Sequence, residues 1–176
     1  AYHSTGQILQ IMRIENDSLV LNKPLRRSYS GNKLPLIYKL KPRRQVHIKC
    51  INIERVDSTT SQSSNIYLSD AVDCSISGIE SHFCNFAHVV IENSTRITVE
   101  NSFFKEAHSY GSGGKGYGVM LQFVAGDCFI HQNNFEHLRH SMILQAGANG
   151  NVFAYNYSTD PFWTETILPS NSSGDL

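Results

Sequence analysis

Arg139 and His140 stand side by side in a chain with little other obvious chemistry. A histidine titrates near neutral pH and can take a proton; an arginine can neutralise a carboxylate through two hydrogen bonds. These are the two roles that β-elimination of a uronic acid polymer needs. One group removes the proton beside the carboxyl, and another holds the carboxyl's charge. His88 suits the same face, and Lys115 is an alternative cation, so Arg139, His140 and His88 are the candidate catalytic residues. The plainer reading competes: a His beside an Arg at a strand edge is an ordinary hydrogen-bonded surface pair. His131 and His137 are weaker candidates. Glu92 and Asp70 suggest paired hydrolytic carboxylates, but Asp70 falls in a turn. There is no Ser-His-Asp order, phosphate-binding loop or HExxH.

What must position these side chains is a repeat. Four segments align: Asn65-Ile66-Tyr67-Leu68-Ser69, His88-Val89-Val90-Ile91-Glu92, Gly118-Val119-Met120-Leu121-Gln122 and Ser141-Met142-Ile143-Leu144-Gln145. Ile66 to Val89 is 23 residues, Val89 to Val119 is 30, and Val119 to Met142 is 23 again. The longer interval holds the glycines of His108 to Gly116, which mark a loop insertion within 105–117. A second apolar stretch follows in each repeat, at Cys74, Ile97, Cys128 and Val152, and then an aromatic, at Phe83, Phe103, Phe135 and Tyr157.

Alternation of period two fits these runs and a helical period does not. Ile66/Leu68, Val89/Ile91, Val119/Leu121 and Met142/Leu144 are expected to point inward. A unit this short cannot bury its apolar face alone, so units stack and each strand pairs with its counterparts above and below. Cys74, Ile97, Cys128 and Val152 are expected to form one inward column, with cysteine as a small apolar filler rather than half of a disulfide. Asparagines recurring after the second strand, in Asn101, Asn133 and Asn156, suit left-handed corners and a stacked amide ladder.

The remaining first-strand positions are expected to face outward in three columns, about 4.8 Å from one level to the next. Asn65, His88, Gly118 and Ser141 form one; Tyr67, Val90, Met120 and Ile143 the next; Ser69, Glu92, Gln122 and Gln145 the third. An apolar stripe flanked by amides, a histidine and a carboxylate suits an extended sugar chain. Glu92, Gln122, Gln145 and Lys115 are thus the candidate substrate-binding residues. The alternative to an open groove, and the favoured one, is that the glycine-rich insertion covers the stripe.

Composition agrees with many short strands. Charged residues are 17% of the 176, and fifteen basic side chains balance fifteen acidic ones. A neutral chain has no general electrostatic reason to hold nucleic acid. No run is long and apolar enough for a membrane helix. No CxxC spacing points to zinc, and Cys50, Cys74, Cys84 and Cys128 permit no pairing by sequence alone.

The pattern Arg96-Ile97-Thr98-Val99-Glu100-Asn101-Ser102-Phe103, with Phe135 to Met142 and Gln145 to Tyr157, resembles the right-handed parallel β-helix superfamily that includes pectate lyases. Within it, the likeness is to large secreted bacterial β-helix proteins of poorly defined activity. The resemblance covers roughly residues 46 to 158 and implies an all-β solenoid of about 23-residue coils. It also implies a secreted or cell-surface protein that binds or cleaves an acidic polysaccharide, or a non-catalytic adhesive or filament segment. Pectate lyases carry calcium-binding Asp clusters and a catalytic Arg. No Asp cluster is present in this sequence, so no cofactor and no catalytic residue is carried over. Residues 1–45 read as a β-rich hairpin lead-in, and 46–176 as the coils. Ala1 is not a natural start, and neither end resembles a cap, so the solenoid is expected to be incomplete at both ends, with an excursion at Pro161-Phe162-Trp163 opening another level.

Overall fold

The computed structural model describes residues 5–29, 36–110 and 114–162. All regular structure among them is β. A hairpin of β1 (Ile11–Glu15) and β2 (Ser18–Leu21) comes first, paired antiparallel. The chain then makes repeated circuits. The first holds β3 (Arg43–Arg44), β4 (His47–Lys49) and β5 (Asn52–Glu54). The second holds β6 (Ile66–Ser69), β7 (Ala71–Val72), β8 (Ser75–Ser77) and β9 (Glu80–Cys84). The third holds β10 (Ala87–Glu92), β11 (Thr98–Glu100) and β12 (Phe103–Ala107). The fourth holds β13 (Tyr117–Gln122), β14 (Phe129–His131) and β15 (Asn134–Glu136). The fifth holds β16 (His140–Leu144), β17 (Val152–Ala154) and β18 (Tyr157–Thr159).

Each of the last four circuits adds one parallel strand to each of three sheets, and the first circuit adds to the second and third only. The first sheet runs β6-β10-β13-β16, the second β4-β8-β11-β14-β17, the third β5-β9-β12-β15-β18. A narrower ladder begins with β3 and β7 and continues through single bridges at Val72, Thr95, Gly126 and Asn149. Ile66, Val89, Val119 and Met142 are register partners, as the repeat requires.

The core lies between the sheets. Ile48, Ile76, Val99, Ile130 and Phe153 form its second-sheet column, and Ile66, Val89, Ile91, Val119 and Leu121 belong to the same buried cluster. Burying such side chains stabilises by roughly 1.5–3 kcal/mol each before entropy is counted. Leu144, expected inward, is instead half exposed, because no described strand lies beyond β16.

Two columns are displaced by one residue from expectation. Phe135 pairs with Phe104, not Phe103, and the two rings stack at 5.3 Å. Phe103 pairs with Asn134, which pairs with Tyr157, an exposed residue. In the second sheet Val152 pairs with Phe129, so Asn151 rather than Val152 stands level with Cys128. Cys74, Ile97 and Cys128 are buried in the core. All four cysteines are free, and burial pushes the Cys84 thiol up to about 12 and Cys128 up to about 11, so neither is a nucleophile at neutral pH.

Corners are built from left-handed residues. Cys50, Asn101, Gln132 and Tyr155 have φ of 52°, 49°, 54° and 56°, and Gly78 has 61° at the same corner. The ladder residues sit one position later. Asn156 Oδ1 accepts from the Asn133 amide (3.1 Å), Asn133 Oδ1 from the Ser102 amide (3.1 Å), and Ser102 Oγ from the Ile79 amide (3.2 Å). The expected ladder therefore exists at Asn133 and Asn156, with Ser102 in place of Asn101.

Candidate functional site

The outward face of the first sheet carries the apolar stripe the repeat predicts. Tyr67, Val90, Met120 and Ile143 are consecutive register partners. Above them runs a groove of about 650 Å³, lined among others by Tyr67, Val90, Met120, Gln122 and Gln145. Phe86, Tyr117 and Phe123 add aromatic walls, and Phe86 and Tyr117 meet edge to face at 5.6 Å. The floor is tight: Val90 and Met120 are each 1% exposed, packed with Ala87, Phe86, Tyr117 and Ile143. Tyr67, by contrast, is 55% exposed.

The insertion contributes Gly114 to the groove, beside Gln62 and Phe86. A Cβ on Gly114 would lie 2.6 Å from Gln62 Nε2 and 3.2 Å from the Phe86 ring, and its φ of 77° also favours glycine. Among the described residues the stripe is thus only partly roofed. Residues 111–113 of the insertion lie outside the described residues. Residues 105–107, counted with the insertion by sequence, belong to β12.

Three of the four expected binding residues meet here. Glu92 accepts from the Tyr67 hydroxyl and from Gln122 Nε2 (3.0 Å), and Gln145 Nε2 donates to Gln122 Oε1 (2.7 Å). The polar row beside the apolar stripe is therefore one chain of hydrogen bonds climbing three levels, with each donor pointing back toward Glu92. Lys115 is half-buried between Gly114 and Gly116 at the groove's edge.

The expected catalytic residues are not brought together as one constellation. His140 pairs with Tyr117, and their rings are 5.3 Å apart, so it abuts the groove wall at the last level. Arg139 precedes it and donates its backbone amide to the Gly116 carbonyl (2.8 Å). His88 is elsewhere. It is fully buried, with Nδ1 2.8 Å from Ser81 Oγ and Nε2 3.0 Å from the Glu106 carbonyl. Burial pushes it down to about 3, so it is neutral.

The whole His88 column corrects the expected facing. Asn65 donates to Ser81 Oγ (2.9 Å), the His88 ring is 5.7 Å from that of Phe104, and Ser141 Oγ is 2.8 Å from Ser158 Oγ. These partners belong to the third sheet. At this corner the interior lies on two sides, so two consecutive residues, His88 and Val89, both turn inward and strict alternation breaks. Asp70, with φ of 53°, sits at the bend between β6 and β7, away from any pairing with Glu92.

Phe86, Tyr117 and Phe123 went unread as binding groups. Their signal was modest: aromatics just before, at the start of, or just after consecutive first-sheet strands. Among the described residues no three of His, Cys, Asp and Glu gather to hold a metal ion. None of the described helices, of which there are none, is long and apolar enough to cross a membrane.

The class these features define is an all-β protein of stacked parallel sheets with a lateral groove. No family model, no curated protein and no solved structure matches the chain.

Proposed function

We propose that this chain is part of a secreted or cell-surface, right-handed parallel β-helix, pectate lyase-like in architecture, that binds an extended carbohydrate along the outward face of its first sheet. The observation that carries the reading is the groove itself: an exposed tyrosine and three further aromatics beside a row of side-chain amides. Aromatic faces pack against the C–H faces of sugars, and a few placed amides bind hydroxyls. The register supports coils of about 23 residues, since Ile66 pairs with Val89 and Val119 with Met142. The hand follows the general preference of parallel crossovers.

Cleavage by β-elimination extends this reading, with His140 as base and Arg139 as the cation. Of the expected trio, only these two adjoin the groove, and neither lines it. Binding is therefore the better-supported activity. A second reading, a purely structural segment, draws on the 1% exposure of Val90 and Met120, which makes the stripe resemble a small outer core.

Titration of the protein with a panel of soluble polysaccharides separates these readings. A binder retains at least one polymer, and Tyr67→Ala weakens that binding about tenfold. Ultraviolet absorbance of an unsaturated product reports the lyase. Silence of the whole panel contradicts the carbohydrate reading and leaves the structural segment.

A further inference from the structure

Resting on the carbohydrate reading, we infer that the groove takes a neutral, hydroxyl-rich glycan and discriminates against uronic acid polymers, with Glu92 as the specificity-determining residue. Among the described lining residues there is no Lys, Arg or His. Among the described residues the carboxylate bonded into the lining is Glu92, held by Tyr67 and by Gln122 Nε2. An acidic sugar laid over Tyr67 and Gln122 brings its carboxylate near Glu92 with no lining cation to offset the repulsion. Two like charges held close together near a protein surface repel, and salt screens that repulsion.

The direction of the hydrogen bonds points the same way. Tyr67 and Gln122 both donate to Glu92, and Gln145 donates to Gln122. One N–H of each amide is committed inward, and Gln145 Oε1 keeps lone pairs for whatever lies above it. Lone pairs call for hydroxyl donors, which any glycan has and which a carboxylate lacks. On this inference the groove takes a neutral glycan where the resemblance implies an acidic one.

The test compares a polyuronate with its carboxyl-reduced, neutral counterpart, using the wild-type chain and Glu92→Gln, both checked for cooperative melting. The wild type should bind the reduced polymer about tenfold more tightly, and Glu92→Gln should shrink that ratio toward one. Raising salt to about 1 M should shrink it in the wild type as well, because the repulsion is screened. Equal or tighter binding of the acidic polymer by the wild type, or a ratio untouched by both Glu92→Gln and salt, overturns this inference alone. Binding of neither polymer by either protein overturns the carbohydrate reading, and this inference with it.

Discussion

Ser81 Oγ and His88 Nδ1 are 2.8 Å apart inside the protein, and that contact fixes the protonation of the ring. The other nitrogen, Nε2, faces the Glu106 carbonyl, which can only accept, so Nε2 carries the proton and Nδ1 accepts from the serine hydroxyl. Burial holds the folded pKa at about 3, against 6.5 for a free ring. As pH falls, the unfolded chain binds this proton first. The stability tied to the neutral ring is complete above about 6.5 and is lost progressively toward about 3. Between pH 6.5 and pH 4.5 the loss is about 2 kcal/mol from this group. Denaturant melts across that range check it. His88→Gln should be less stable at pH 7 yet show a flatter acid limb; an identical limb contradicts the assignment.

Gly118 and Phe135 leave no room for a methyl group. A Cβ on Gly118 would lie 2.7 Å from the Phe135 ring and 2.2 Å from the Ser141 carbonyl oxygen. Gly118→Ala should therefore cost about 1–3 kcal/mol or more in a thermal or denaturant melt, because both neighbours are fixed by sheet pairing. Shrinking the ring as well, in Gly118→Ala with Phe135→Leu, should relieve only the ring clash. A neutral Gly118→Ala contradicts the register of β13 and β16.

Asn133 is bonded on every side: to Asn156, to the Ser102 amide and to the Val99 carbonyl. Asn133→Ala strands the Ser102 amide and the Val99 carbonyl of the neighbouring circuit and should destabilise by about 2–4 kcal/mol. Asn133→Ser restores only part of this, since a hydroxyl reaches one partner. Equal melting of Asn133→Ala and wild type rules out the ladder.

Asp127 ties the N-terminal segment to the stack. It pairs with Lys23 (2.7 Å) and with Arg26, and Arg26 also reaches Asn149. Burial raises its carboxyl, but Lys23 and Arg26 outweigh that and hold it below the usual range. Its folded pKa is lowered, so its contribution is present above the unfolded value near 3.8 and is lost as pH falls through the folded one. Asp127→Asn should expose residues 5–29 to limited proteolysis while β6–β18 stay protected. Equal protection of both segments in the variant contradicts this role.

The sequence announced the stack clearly where alternation was clean: Ile66, Val89, Val119 and Met142 are partners. It misled where two adjacent residues were chemically alike. Phe103 and Phe104 both suit a strand, and only packing against Phe135 decides which turns inward. It misled again where spacing varied, placing Val152 at the level that Asn151 occupies. The groove's amide row was legible because Glu92, Gln122 and Gln145 repeat on one face. His88 was misread because facing at a corner depends on the neighbouring sheet, which a linear pattern does not contain.

The most direct measurement is side-chain amide NMR of the protein during titration with a neutral oligosaccharide. The account predicts that the Gln122 and Gln145 amide signals shift together and saturably, along with the Tyr67 ring, while the Asn133 and Asn156 ladder amides stay fixed. Saturable binding that leaves Gln122, Gln145 and Tyr67 unmoved would place the ligand elsewhere and contradict it.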